Sequence, residues 1–264
     1  MLLTIILSSL IALIIALISY YVKFLSKSGS IATFILASLI FSFGGLKWSI
    51  PILSFFILSS LLSKVRKKRN DKVETYFEKS GTRDHWQVIA NGGLGGILVV
   101  LNFIYPDELF YFVYVSSLAA VCADTWATEI GTLYKTKTYN ILNFKQVEQG
   151  VSGGISVIGT FGGIAGALVI SLSASPWVKF NLINYFLFIV LAGIIGSIFD
   201  SFLGATIQAQ FECRICGKIT ERIVHCNKNT LRVRGLYWLN NDIVNLLAGL
   251  CGGIFILFFK DLLI

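Results

Sequence analysis

Read along its length, the chain alternates long apolar blocks with short polar ones. Eight blocks approach or exceed the ~20 residues a helix needs to cross a bilayer: about 2–22, 30–45, 48–63, 87–105, 109–131, 153–173, 181–208 and 241–259. Only Gly44-Gly45-Leu46-Lys47 separates the second from the third, so those two short blocks suit a tight hairpin. The first block has no basic segment ahead of it and no clear small-residue cleavage site, so it reads as a retained span and not a signal peptide. The pattern predicts an all-α polytopic transmembrane helical bundle. It forms one integral membrane domain over 1–264, with 209–240 as a small loop insertion.

The polar residues inside these blocks are what lipid does not explain. The fifth block ends in Ala123-Asp124-Thr125-Trp126-Ala127-Thr128-Glu129-Ile130-Gly131. Carboxylates at membrane depth are expensive and mark functional positions. On a helix, with Asp124 at zero, Thr128 falls at about 40°, Thr125 at about 100° and Glu129 at about 140°, which is one face. In the seventh block Gly193, Ser197, Asp200, Gly204 and Gln208 share an arc of about 80°. Arg83, Gln87 and Asn91 recur every fourth residue where the fourth block begins, a cationic and amide stripe suited to an anion. Asn241, Asp242 and Asn245 open the last block and exceed what an N-cap requires. Ahead of the sixth block, Gly150-Val151-Ser152-Gly153-Gly154-Ile155-Ser156 is a glycine-rich turn feeding a helix start. Such a turn offers backbone N–H groups and the helix dipole to a phosphate. It is not a Walker A sequence, because no Gly-Lys-Ser/Thr follows.

Composition fixes the class and charge fixes the orientation. With 55% hydrophobic residues and a mean hydropathy of +0.77, a soluble globular domain is excluded. The net charge of +8 invites a nucleic-acid partner, but its distribution argues against one. Of the 22 Lys and Arg residues, all but Lys47, Lys179 and Lys260 fall in the alternate connections 23–29, 64–86, 132–152 and 209–240. That is the positive-inside pattern. It predicts a multi-pass protein of the cell membrane with both termini outside and the four basic, catalytic loops in the cytoplasm. The loop 64–86 reads as a solvated segment held against anionic lipid.

This topology brings the polar faces to one side of the membrane. Carboxylates and amides there suit a hard divalent cation, and Arg, Lys and glycine N–H groups suit phosphates. The combination points to phosphoryl or nucleotidyl chemistry on a lipid-embedded substrate. Apart from it stands Cys213-Arg214-Ile215-Cys216-Gly217, followed by His225 and Cys226. These could supply three or four ligands to a structural Zn²⁺, although the adjacent second pair departs from the usual ribbon spacing. The alternative is a reduced loop with unpaired thiols.

Four motifs in order carry a resemblance over about residues 30–259: 123–131, 150–156, Gly196-Ser197-Ile198-Phe199-Asp200-Ser201-Phe202-Leu203-Gly204-Ala205-Thr206, and Asn240-Asn241-Asp242-Ile243-Val244-Asn245. They resemble an integral membrane family of the domain-of-unknown-function class that contains plant phytyl-phosphate kinases and archaeal geranylgeranyl-phosphate kinases. The resemblance implies an isoprenyl-monophosphate kinase that takes a phosphoryl group from CTP or another nucleoside triphosphate, with Mg²⁺. Carried across by position, Asp124, Glu129, Asp200 and Asp242 form the acidic set, with Asp124, Asp200 and Asp242 as the Mg²⁺ ligands. Gly150, Ser152, Gly153, Gly154 and Lys145 face the donor, Arg83 steadies the acceptor phosphate, and Asn91, Thr128, Asn241 and Asn245 complete the binding set. Two rivals stand beside this reading. A cytidylyl- or phosphoalcohol-transferase would be expected to carry an Asp-x-x-Asp-Gly pattern, which is absent. A polar-substrate transporter would carry polar groups near the midplane or on both sides.

Overall fold

The computed structural model describes residues 2–79, 81–179 and 181–262. The described residues contain seven α-helices: α1 (Leu2–Tyr21), α2 (Lys27–Arg69), α3 (His85–Ile104), α4 (Glu108–Gly131), α5 (Val157–Ala174), α6 (Leu182–Thr206) and α7 (Asn241–Leu257). The first six are long and apolar enough to cross a membrane, and α7 is shorter. The protein is therefore a polytopic helical membrane protein.

Blocks two and three fall within α2, which breaks only at Gly45, with φ 56° and ψ −155°. A side chain is disfavoured there, so glycine marks the break. The two arms fold back on each other. Leu36 and Ile52, on opposite sides of the break, both pack on Gly92 of α3. The second arm also reaches the connection ahead of α2, where Phe56 meets Phe24 with ring centroids 6.2 Å apart and Lys64 Nζ donates to the Val22 carbonyl at 2.7 Å.

The bundle is built around α4, which packs against α2, α3, α5, α6 and α7 and is buried over most of its length. Glycines in α5 let the two backbones touch. A Cβ at Gly162 would lie 2.8 Å from the Trp126 carbonyl oxygen, and one at Gly166 would lie 2.8 Å from that of Cys122. Helices in lipid gain little from burial of apolar surface, so this close van der Waals approach is what joins them. At one end of the bundle Trp48 stacks on Tyr114 at 4.7 Å, and Lys47 pairs with Glu108 at 2.5 Å.

At the opposite end the connections are not helical, which corrects the all-α expectation for this part of the chain. Strands β1 (Thr138–Asn140), β2 (Gln146–Val147) and β3 (Gly154–Ile155) form a sheet ordered β2-β1-β3. Strands β4 (Gln210–Glu212), β5 (Ile219–Thr220), β6 (Val224–His225), β7 (Lys228–Asn229) and β8 (Leu231–Arg234) form a sheet ordered β5-β4-β8 and a β6-β7 hairpin. Because β3 occupies 154–155, the sixth block turns helical only at Val157, after its cap Ser156. The loop 70–84 is not a solvated surface either. Val73 and Tyr76 are buried, and the loop is tied to its neighbours on both sides. Asn70 Nδ2 donates to the Thr132 carbonyl at 2.8 Å, the Tyr76 hydroxyl donates to Glu148, and Arg222 Nε donates to the Phe77 carbonyl at 2.8 Å. Three basic loops thus close over one end of the bundle.

Candidate functional site

Beneath these loops lies a cavity of about 800 Å³ that runs down between α3, α4, α5, α6 and α7. Its chemistry is divided into an acidic wall and a cationic one.

The acidic wall is made by Asp124 of α4, Asp200 of α6 and Glu221 of the β5–β6 connection. Among the described residues the Asp124 carboxylate has no hydrogen bond and no ion pair, and Asp200 Oδ2 is buried without a partner. The three carboxylates are near enough to act on one another electrostatically. Glu221 is fixed in place by Ser152 Oγ at 2.6 Å, Gln208 Nε2 at 3.0 Å and the Glu78 N–H at 3.3 Å. Burial raises its pKa, these three hydrogen bonds oppose the rise, and Asp242 adds to it. Glu78 beside it is pushed up to about 7 by burial, against the pull of Lys79. An acid with an unpaired buried oxygen, facing a second unpaired acid, fits a hard cation that takes one or two carboxylates and fills its other positions with water and phosphate oxygens.

The cationic wall is Arg83, Lys23 and Lys67. Among the described residues none of the three is in an ion pair. Arg83 is aimed inward because its backbone bridges the start of α2: its N–H donates to the Phe24 carbonyl at 3.0 Å, and its carbonyl accepts from Ser26 N–H at 3.0 Å. The guanidinium lies over the Phe55 and Phe56 rings, 5.4 and 5.8 Å from their centroids. An unpaired guanidinium against aromatic faces is open to an anion.

Two expected acids are already matched by cations. Glu129 accepts from Arg66 Nε at 2.5 Å and from Ser63 Oγ at 2.6 Å. Arg66 also pairs with Glu74 at 2.5 Å, and its side chain is only 5% exposed. Glu129 therefore joins α4 to α2, and Arg66 extends the tie to the 70–84 loop through Glu74. Asp242 pairs with Lys79, which also holds Asp84 at 2.9 Å. Burial opposes the charge on Lys79, but the two carboxylates outweigh it and its pKa rises. Asp242 thus carries a counter-ion that Asp124 and Asp200 lack.

The remaining expected residues separate cleanly. Asn91, Thr128, Gly150, Ser152, Gly153, Gly154, Asn241 and Asn245 all line the cavity. Asn91 Oδ1 is buried without a partner. Asn240 caps α7 by accepting from Ile243 N–H at 3.2 Å, which frees Asn241 and Asn245 for the cavity. Lys145 does not line it: this lysine is exposed on the β1–β2 turn, with its N–H on Asn143 Oδ1 at 3.0 Å. The glycine turn does not sit on a helix N-terminus, because β3 intervenes and Ser156 Oγ already accepts from Gly159 N–H at 3.0 Å. Among the described residues the Ser152 and Gly153 N–H groups have no acceptor, and the Gly153 nitrogen packs against Gly204 of α6, where a Cβ would lie 2.9 Å from it. Gly153 has φ +80°, and a Cβ there would fall 2.5 Å from that of Ala205. Cys213, Cys216, His225 and Cys226 do come together, but away from the cavity lining.

Sequence reasoning missed Lys79, Lys67, Lys23 and Glu221. Lys23, Lys79 and Glu221 lie in connections, and Lys67 lies in the last turn of α2, beyond its apolar stretch, so no apolar period links any of them to the site. Their only signal is a charge in basic stretches that the topology places on the site's side.

A bundle of apolar helices enclosing a two-signed polar cavity under basic loops defines an integral membrane protein with a buried site at one end. The chain belongs to the family described as Integral membrane protein DUF92, whose model matches residues 10–253. It is similar to Protein PGR of Arabidopsis thaliana, 28% identical over 263 residues and covering 90% of each chain. An uncharacterized membrane protein of Methanocaldococcus jannaschii is 32% identical over 249 residues, covering 94% of this chain and 90% of that one. The chloroplastic Protein VTE6 of Arabidopsis thaliana is 26% identical over 229 residues, covering 84% of this chain and 61% of that one. No solved structure matches the chain.

Proposed function

We propose that this protein is an isoprenyl-monophosphate kinase that converts geranylgeranyl or phytyl phosphate to the diphosphate, using a nucleoside triphosphate such as CTP. The observation that carries the reading is the cavity itself, whose lining includes unpaired Asp124 and Asp200 as well as Arg83, Lys23 and Lys67, none of them in an ion pair among the described residues. Acids without counter-ions and cations without counter-ions in one enclosure are what a metal–polyphosphate complex would complete. The four motifs that carry the resemblance to a family containing phytyl- and geranylgeranyl-phosphate kinases all have residues lining this cavity.

An oxygen of the acceptor phosphate would attack the donor's γ-phosphorus, and the bond from that phosphorus to the β–γ bridging oxygen would break, releasing the nucleoside diphosphate. A phosphate monoester is ionised at neutral pH, so no strong base is needed, and catalysis reduces to positioning and charge neutralisation. Mg²⁺, when bound, would supply charge neutralisation at the donor phosphates, and Asp124 and Asp200 are the residues that would hold it. The Ser152 and Gly153 N–H groups would take donor phosphate oxygens. Arg83 would hold the acceptor phosphate, and the loops would exclude bulk water. The lower cavity is lined by Ile164, Ile194 and Ile198. Ile198 is 53% exposed on the outside of the bundle, so a prenyl tail would leave between α5 and α6 into lipid.

In a bilayer, the two arms of α2 and the short α7 would count as crossings. That gives eight, with both termini outside and the basic loops in the cytoplasm. A transporter is disfavoured because the opposite end is closed by Trp48, Tyr111 and Tyr114, all buried. The test is protein purified in detergent and given geranylgeranyl phosphate, Mg²⁺ and each of the four nucleoside triphosphates in turn. Formation of the prenyl diphosphate with at least one donor is expected; no product with any donor rejects the kinase.

A further inference from the structure

We propose that Cys213, Cys216, His225 and Cys226 form a structural Zn²⁺ site that pins the loop carrying Glu221 over the cavity. The metal site stands independently of the kinase reading, and only its consequence for turnover rests on that reading.

Each of the four residues offers one ligand atom, and all four atoms lie within 4.8 Å of one another. A tetrahedral zinc with bonds of about 2.3 Å to sulfur and about 2.0–2.1 Å to nitrogen spaces its ligands roughly 3.5–3.8 Å apart. Cys216 Sγ lies 3.9 Å from Cys226 Sγ and 3.6 Å from His225 Nδ1, and Cys226 Sγ lies 3.2 Å from His225 Nδ1. These distances are far beyond an S–S bond of about 2.05 Å, and all the cysteines are free. Three thiolates and one imidazole form a soft donor set that favours zinc over the hard cations suited to the cavity.

The local backbone is built for this cluster. In the first half, Ile215 N–H donates to Cys213 Sγ at 3.4 Å. Gly217 N–H closes the turn on the Cys213 carbonyl at 2.9 Å, with Gly217 at φ +67°. This is a knuckle whose amides stabilise a thiolate. The second half resolves the adjacency that the sequence spacing counted against the site. In the β6–β7 hairpin Val224 faces Asn229 and His225 faces Lys228, which leaves Cys226-Asn227 as a two-residue turn. Both turn residues have positive φ, 51° and 60°, the type I′ geometry that asparagine and glycine favour. A cysteine is out of place at such a position, and a metal bond gives it a reason to be there. The turn lets two consecutive residues face one centre.

The ligand pairs bracket residues 217–224, and Glu221 lies between them. That segment crosses the 70–84 loop, with Thr220 Oγ1 on the Thr75 carbonyl at 2.9 Å and Glu221 N–H on the Tyr76 carbonyl at 2.9 Å. The strands that hold it are two or three residues long except β8. A metal joining both ends of the segment supplies the rigidity these short ladders lack.

The test is zinc content of the reduced, purified full-length protein by plasma mass spectrometry. About one zinc per chain is expected, with the Cys122→Ser/Cys251→Ser variant unchanged and Cys216→Ser/Cys226→Ser losing nearly all of it. Should that second variant fail to fold, the wild-type protein still decides the matter. Titration with an organomercurial should release the zinc to a colorimetric chelator, and exchange with Co²⁺ should give intense tetrahedral d–d bands and thiolate charge transfer. Wild-type protein with no stoichiometric zinc and no such cobalt spectrum overturns the site, as does a Cys216–Cys226 disulfide under reducing preparation. The clamp is read by trypsin. Stripping zinc should speed cleavage after Arg222 about tenfold or more as the segment opens locally, and unchanged cleavage refutes the clamp. Zinc bound without kinase turnover counts against the kinase alone, and turnover in protein that never held zinc counts against this site alone.

Discussion

Glu129 sits in the same motif as Asp124, yet the structure gives the two acids different work, and replacing Arg66 separates them. Arg66 holds Glu129 and Glu74, each at 2.5 Å, with its side chain 5% exposed and theirs 12% and 11% exposed. Arg66→Met would keep the aliphatic volume and leave two buried carboxylates unpaired. Removing one partner of a buried ion pair costs about 3–5 kcal/mol. The slight exposure of both carboxylates toward the cavity favours the lower end, about 3 kcal/mol, or roughly a hundredfold in the folding equilibrium. The triple variant Arg66→Met/Glu74→Gln/Glu129→Gln removes the stranded charges and should recover most of that loss, because a buried ion-pair network is often nearly neutral against uncharged replacements. Glu129→Gln alone leaves Arg66 on Glu74 and should cost about 1.5–3 kcal/mol, the range for a hydrogen bond to a charged group. Unfolding followed by SDS titration in mixed micelles measures all three. A loss below about 0.5 kcal/mol for Arg66→Met, within the scatter of surface changes, would refute the anchoring role. So would loss of turnover in a well-folded Glu129→Gln variant as deep as that in Asp124→Asn.

Other expectations follow from the same cavity. Asp200→Asn should lower kcat at least about a hundredfold, as removal of one charge-stabilising group does. It should leave the thermal midpoint unchanged or raised, because an unpaired buried charge is removed. Lys145→Ala should change KM for the nucleotide less than about twofold, whereas Arg83→Met should raise KM for the prenyl phosphate by about tenfold or more, the worth of a charge-assisted contact. Gly153→Ala should destabilise the fold by about 1–3 kcal/mol through overpacking against Ala205 and backbone strain, measurable by the same SDS titration. Glu78 has its pKa lifted to about 7 from 4.5, chiefly by burial. Its native state therefore binds more protons than the unfolded state between those values, so its cost to stability grows as pH rises from about 4.5 to about 7 and levels off above that. Glu78→Gln should remove its contribution to the fall in thermal midpoint between about pH 5 and 7 (the ~1.4 kcal/mol per pKa unit is discounted by its partial exposure).

The membrane-embedded part of this site was legible because helices convert spacing into direction. A rotation of 100° per residue puts Asp124, Thr125 and Thr128 on one face, and all three line the cavity, as do Ser197, Asp200 and Ser201. The lid was not legible. Lys79 and Glu221 reach the cavity from irregular loops, where direction is set by turns and tertiary hydrogen bonds, and Lys67 reaches it from a last turn of α2 that lies beyond the apolar stretch. Strands of two to four residues carry too little alternation to be read. Glu129 shows the limit of facing arguments: its position was inferred correctly, but its partner Arg66 lies 63 residues away in a basic cluster that resembled a lipid-binding surface. Lys145 failed for the opposite reason, since it sits exposed on the β1–β2 turn, and nearness in sequence to the glycine turn does not bring it to the cavity lining. The cysteine cluster was half legible, because only the positive-φ turn at Cys226-Asn227 makes adjacent residues usable together.

The most direct measurement follows transfer of labelled γ-phosphate to geranylgeranyl phosphate by wild-type protein, Asp124→Asn and Lys145→Ala, each checked for matching SDS-unfolding curves. Labelled prenyl diphosphate from the wild type and from Lys145→Ala, with at least about a hundredfold loss in Asp124→Asn, is the expected result. Wild-type rates in well-folded Asp124→Asn, or no labelled diphosphate from the wild type with any nucleoside triphosphate, would contradict a phosphoryl-transfer site in this cavity.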